Sequence, residues 1–139
     1  MDSKKLTLST LAATVLIFLL GFLWYGMLMA DFYASNGGGA TNVAKDPLDM
    51  WALVLGILIV SFAMAYMFPK WSRGVNNAKQ GFIFGALIGL ITGFGTAFIM
   101  YGTSNFMNMT GTIVDGIYQI VEKGLAGIVI AMIYGKGKE

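Results

Sequence analysis

The stretch Thr112 to Tyr134 constrains this chain most. Its 23 residues would make a helix about 35 Å long, enough to cross the hydrocarbon core of a bilayer. The half from Gly124 to Tyr134 is wholly apolar or small. The other half carries Asp115, Tyr118, Gln119, Glu122 and Lys123. Asp115, Tyr118, Gln119 and Glu122 follow helical spacing and share one face. Lipid receives an uncompensated charge only at a cost of several kcal/mol. The other apolar segments are therefore expected to cover this face.

Three such segments precede it. With Thr112–Tyr134 they predict an all-α polytopic membrane protein of four transmembrane helices, about 7–30, 50–68, 81–101 and 112–134, in one integral membrane domain over 1–139. Leu6 to Ala30 competes with a signal peptide, since Lys4 and Lys5 precede it. It is too long for a signal core and lacks a small-x-small cleavage site, so a retained helix is expected. Trp24 and Tyr25 near its end read as an interfacial belt. Residues 31–49 are rich in turn formers. A short interfacial helix around Ala30 to Ala34 and a mobile Gly37–Gly39 loop are expected there. Pro69 reads as the stop of the second helix, with Trp51 and Trp71 near opposite interfaces. In the third helix Gly81, Gly85, Gly89 and Gly93 recur every four residues. They form a smooth stripe against which another backbone can pack closely, either within the bundle or across a homodimer.

Charge sets the expected orientation. Lys4, Lys5, Lys70, Arg73, Lys79, Lys136 and Lys138 all fall on one side of a four-span chain, whereas Lys45 stands among Asp31, Asp46 and Asp49 on the other. This is a positive-inside pattern with both termini cytoplasmic. Only 12% of residues are charged, about half the soluble norm. Net charge is +2, which suits an anionic membrane surface and excludes nucleic acid as the expected partner. There is no cysteine and no histidine, so haem, zinc and copper sites are not expected. No nucleophile has an identifiable base. The reading is of a non-enzymatic protein without a cofactor, whose partners are membrane lipids and a homodimer or larger membrane complex.

Several motifs resemble one family. They are Gly21-Phe22-Leu23-Trp24-Tyr25-Gly26, Met64-Ala65-Tyr66, Gly81 to Gly93 with Asn105, and Gly116-Ile117-Tyr118-Gln119-Ile120-Val121. In order and spacing they are similar to the domain-of-unknown-function family 1761. The resemblance implies a small bacterial four-helix protein of the inner membrane and brings no activity with it. One departure is the first loop. Many members place a tryptophan after the Trp24-Tyr25-Gly26 motif, where this chain has Asp31-Phe32-Tyr33 leading into glycines.

The candidate polar site within the membrane comprises Tyr25, Asp115, Tyr118, Gln119, Glu122 and Lys123. Asp115, near the start of its helix, is expected to act as an N-terminal acid. Glu122 lies roughly 10 Å deeper. Lys123 points about 100° away from it on a helix and is expected to snorkel or to pair with another helix. Three functional readings follow. One is an accessory or assembly subunit whose polar cluster fixes helix order. The second is a small proton- or cation-linked channel or transporter using Glu122. The third is a protein binding lipid or a lipophilic ligand.

Overall fold

The computed structural model describes residues 2–136. Lys138, one of the basic residues counted above, lies outside them. The elements are α1 (Ser3–Leu28), α2 (Ala30–Ser35), α3 (Met50–Ser72), α4 (Ala78–Thr103) and α5 (Met109–Gly135). All but α2 are long and apolar enough to cross a membrane. The architecture is all-helical, and among the described residues there is no strand. The two described chain ends meet at one end of the bundle, where Lys5 Nζ donates to the carbonyls of Tyr134 (3.1 Å) and Lys136 (2.6 Å). The 31–49 and 104–108 connections lie at the other, here called the loop end.

Three of the four spanning helices begin before their apolar runs do. Hydropathy marks what must be buried, but polar caps decide where the first turn closes. Asp2 accepts from the Lys4 and Lys5 amides, so α1 starts at Ser3 rather than near residue 7. Asn77 accepts from the Gln80 amide and Asn108 from the Gly111 amide, each at 2.9 Å. These caps place the starts of α4 and α5 three residues ahead of the expected positions.

Pro69 does not stop α3, which runs on to Ser72. A proline removes the N–H that would bond the carbonyl four residues back, here that of Ala65. The Tyr134 hydroxyl donates to this carbonyl at 3.0 Å, and the turn continues. The helix ends where Arg73 (φ 49°) and Gly74 (φ 93°) enter the left-handed region, a common C-terminal arrangement.

The last helix is the hub. Half of the apolar window of α5 is buried, against 22% for each of the other three spans. Helix α4 runs antiparallel along it and makes the most extensive contact in the molecule. The glycine stripe forms that seam. Gly81 faces Gly127 and Ala131, Gly85 faces Lys123 and Gly124, Gly89 faces Gln119 and Ile120, and Gly93 faces Gln119 and Gly116. At Gly85 and Gly89 a Cβ would overlap main-chain atoms of α5. In return α5 offers Gly116 and Gly124, over which the Phe94 and Phe82 rings lie. Lipid tails are as apolar as these side chains, so the gain comes from van der Waals contact at close range.

The apolar core sits between the seam and the chain ends. It contains Ala13 and Ile17 of α1, Met64, Ala65 and Phe68 of α3, Phe84 of α4, and Ala126, Ile130 and Tyr134 of α5. Phe68 is its centre, with ring centroids 5.5 Å from Phe84 and 6.1 Å from Tyr134. Phe68 is completely buried.

Two helices widen into π turns, α1 over Phe22–Leu28 and α4 over Leu90–Gly95. In α1 the Met29 amide reaches the Trp24 carbonyl five residues back, at 2.8 Å. A wider turn brings consecutive side chains closer in angle, and such turns recur at functional sites. This one presents Trp24 and Tyr25 together to α5.

Candidate functional site

The polar residues of α5 meet the π turn of α1 and the short helix α2. Tyr25 donates to Asp115 Oδ1 at 2.5 Å and Tyr33 donates to the same oxygen at 3.2 Å. Trp24 Nε1 donates to the Tyr33 hydroxyl at 3.0 Å. Gln119 Nε2 donates to the Tyr25 hydroxyl at 3.1 Å, and Lys123 Nζ donates to Gln119 Oε1 at 2.9 Å. Lys123 also pairs directly with Glu122 Oε2. Tyr118 closes the arrangement by donating to Glu122 Oε1 at 2.7 Å. One connected network thus joins Asp115 near the loop end to Glu122 inside the bundle and draws in all six candidate residues. Trp24 and Tyr33 complete it.

The aromatic rings fix the geometry. Trp24 stacks on Tyr118 with centroids 4.6 Å apart and planes within 6°. Tyr25 meets Tyr118 edge-on at 5.2 Å. Such pairs add about 0.5–1.5 kcal/mol each beyond simple packing. Trp24 and Tyr25 therefore pack against α5 and α2.

Two charged residues take positions other than those expected. Lys123 neither snorkels nor reaches another helix. Its long stem curls so that the ammonium lies between Gln119, one turn back, and the neighbouring Glu122. Glu122 is 3% exposed and Lys123 6%. A charge buried this deeply needs its partner, which overrides the angular separation of adjacent residues. Asp115 does not cap α5, since Asn108 does. It lies six residues in, about 9 Å along the axis, and accepts from Tyr25 and Tyr33. Burial pushes the Tyr33 phenol up to about 12, against the Trp24 N–H, which favours the phenolate; the adjacent Asp115 adds to the rise. Tyr33 is thus a neutral hydrogen-bond donor at physiological pH.

The first loop folds back onto this end. The Gly38 amide donates to the Phe106 carbonyl (3.2 Å) and the Ala40 amide to that of Asn105 (3.0 Å). Asn36 and Asn108 are joined both by main chain (3.0 Å) and by side chains (3.1 Å). The glycine run is thus bonded to the 104–108 connection through Gly38. A Cβ at Gly38 would overlap the Asn105 carbonyl, so only glycine permits the approach.

Between this loop and the network lies a cavity of about 640 Å³. Tyr25, Tyr33 and Asp115 supply its polar wall; Ala30, Ala34, Val43, Phe106 and Met107 are among its apolar lining. Asp115 also borders a smaller space of about 90 Å³ beside Thr92, Thr96 and Thr112. A third space, of about 310 Å³, lies between α1 and α3 and touches Lys123. Among the described residues no cluster of three metal-ligating side chains occurs. Sequence reasoning missed Trp24 and Tyr33 as members of the network. Their shared Trp/Tyr chemistry was visible, but the π turn and the return of α2 that bring them to Asp115 leave no signature in hydropathy.

Fold and network together define a polytopic helical membrane protein with a polar core and a cavity at one end. The chain belongs to the family described as Protein of unknown function (DUF1761), whose model matches residues 8–131. No curated protein and no solved structure matches it.

Proposed function

We propose that this is a non-enzymatic protein of the bacterial inner membrane that binds a small, largely apolar ligand in the loop-end cavity. The observation that supports this is the cavity itself. Its volume lies within the roughly 300–1,000 Å³ typical of small-molecule sites, and its wall is mostly apolar with a few converging polar groups. Both termini face the cytoplasm in this reading. Lys4, Lys5, Lys70, Arg73, Lys79 and Lys136 gather at the end opposite the cavity, as the positive-inside rule favours. The cavity then opens outward. The Glu122–Lys123 pair supports a structural role over one in passing cations, because Lys123 and Tyr118 already occupy the carboxylate.

Native mass spectrometry of protein extracted from its own membrane in mild detergent tests the binding role. A small molecule should accompany the native chain. It should be lost from Ala34→Trp, which fills the cavity from an exposed position. Retention of the same molecule by Ala34→Trp would place the ligand elsewhere and defeat the reading. Reporter fusions after Gly38 and Asn76 test the orientation, and a cytoplasmic signal at Gly38 would reverse it.

A further inference from the structure

We infer that the ligand of the loop-end cavity is a hydrophobic organic monocation, recognised by Asp115 with the rings of Tyr25 and Tyr33. This rests on the binding role proposed above and assigns the ligand its charge. Three observations converge on it. The first is a carboxylate without a cationic side-chain partner. Tyr25 and Tyr33 both donate to Oδ1 of Asp115, and Oδ2 accepts no hydrogen bond among the described residues. No lysine or arginine pairs with Asp115 there either, in contrast to Glu122 and Asp49, which have Lys123 and Lys45. The carboxylate thus lies in the cavity wall without a lysine or arginine beside it.

The second observation is the ring geometry. Tyr25 and Tyr33 line the same cavity, with centroids 5.2 Å apart and planes tilted by 42°. Aromatic rings beside a carboxylate stabilise an ammonium or similar cation, and most strongly when it is partly desolvated. The third is the field at this end. Asp31, Asp46, Asp49 and Asp115 stand against Lys45, a net charge of −3. That concentrates cations at the mouth and repels anions.

The same wall disfavours an inorganic ion. A sodium or calcium ion requires several oxygen ligands, but the Tyr25 and Tyr33 hydroxyls already accept from Gln119 and Trp24, and Ala30, Ala34, Val43, Phe106 and Met107 present carbon. An apolar body fills that space and leaves the charge at Asp115.

Benzyltrimethylammonium and its uncharged isostere neopentylbenzene form a suitable pair of probes. Binding of each is measured by intrinsic fluorescence in dodecyl maltoside micelles, for the native chain, Asp115→Asn and Ala34→Trp. The native chain should bind the cation about tenfold more tightly than the isostere, a difference of about 1.4 kcal/mol. In Asp115→Asn the two affinities should become equal through loss of cation binding. Ala34→Trp should bind neither, with unfolding temperatures of all three showing that the variants are folded. Equal binding of both probes by the native chain would overturn the cationic assignment and leave the apolar-ligand role standing. Binding of neither would overturn both. Displacement of benzyltrimethylammonium by millimolar sodium, but not by a second organic cation, would assign the carboxylate to an inorganic ion and also overturn the inference.

Discussion

Helix α5 faces two neighbours in two different ways. Toward α4 it presents Gly116, Gly124 and Gly127, and the backbones approach until no Cβ fits. Toward α1 and α2 it presents Asp115, Tyr118 and Gln119: Asp115 and Gln119 bridge the gap by hydrogen bonds, and Tyr118 stacks on Trp24. The first contact gains from shape alone. The second gains from satisfying groups that lipid cannot satisfy. The two contacts hold different pairs of helices. The seam sets α5 against α4, where the Phe94 and Phe82 rings lie over Gly116 and Gly124. The network sets α5 against α1 and α2 through Asp115 and Gln119.

The largest effect should come from breaking the seam. Leucine at Gly85 would meet the main chain of Lys123 and Gly124, which has no flexible end to move aside. The expected cost is about 3 kcal/mol for one such substitution, and the Gly85→Leu, Gly89→Leu double variant should yield no folded protein. Gly56→Leu is the matched control. Nothing lies within 4 Å of a Cβ at Gly56, so its stability should change by only about 0.5 kcal/mol. Thermal unfolding in detergent, followed by helical circular dichroism, compares them. Equal stability of Gly85→Leu and Gly56→Leu would remove the seam from its place in this comparison.

A slightly smaller effect is expected within the network. Lys123→Met leaves Glu122 without its cation and should cost about 3 kcal/mol. Combining it with Glu122→Gln should recover most of that loss, since the amide can still accept from Tyr118. If the double variant is as unstable as Lys123→Met alone, packing of the lysine stem, not the charge pair, is what matters at this position.

The two regions also differ in how far they could be read in advance. Gly81, Gly85, Gly89 and Gly93 announce a seam because one helix carries the whole pattern, and periodicity is a local property. What periodicity left open was the partner, which the structure shows to be α5 of the same chain. The polar face of α5 was legible for the same local reason. Its partners were not, since Trp24 and Tyr25 reach it through a π turn and Tyr33 through a chain reversal. Lys123 was misplaced because helical geometry alone separates it from Glu122, whereas the electrostatics of a buried pair bends a flexible side chain back. The four spans were visible throughout, and their ends were displaced by the caps Asp2, Asn77 and Asn108, single residues that hydropathy averages away.

The smallest effect tests a place where side chain and backbone exchange roles. Pro69 lacks the N–H that would bond the Ala65 carbonyl, and the Tyr134 hydroxyl supplies the bond at 3.0 Å. Ala65 is completely buried, so no solvent can take over. Tyr134→Phe keeps the ring against Phe68 and removes only the hydroxyl, at an expected cost of about 1 kcal/mol. Pro69→Ala restores an N–H four residues from Ala65, within the helix. In that background the carbonyl already has its helical donor, and Tyr134→Phe should cost less than half as much. The two substitutions should therefore be coupled in a double-variant cycle, with the hydroxyl mattering most where the backbone donor is missing. Equal costs in both backgrounds would mean that the hydroxyl's contribution does not depend on the missing backbone donor. The continuation of α3 past Pro69 would then rest on packing by Phe68 and Trp71, and the side-chain bond would have no part in it.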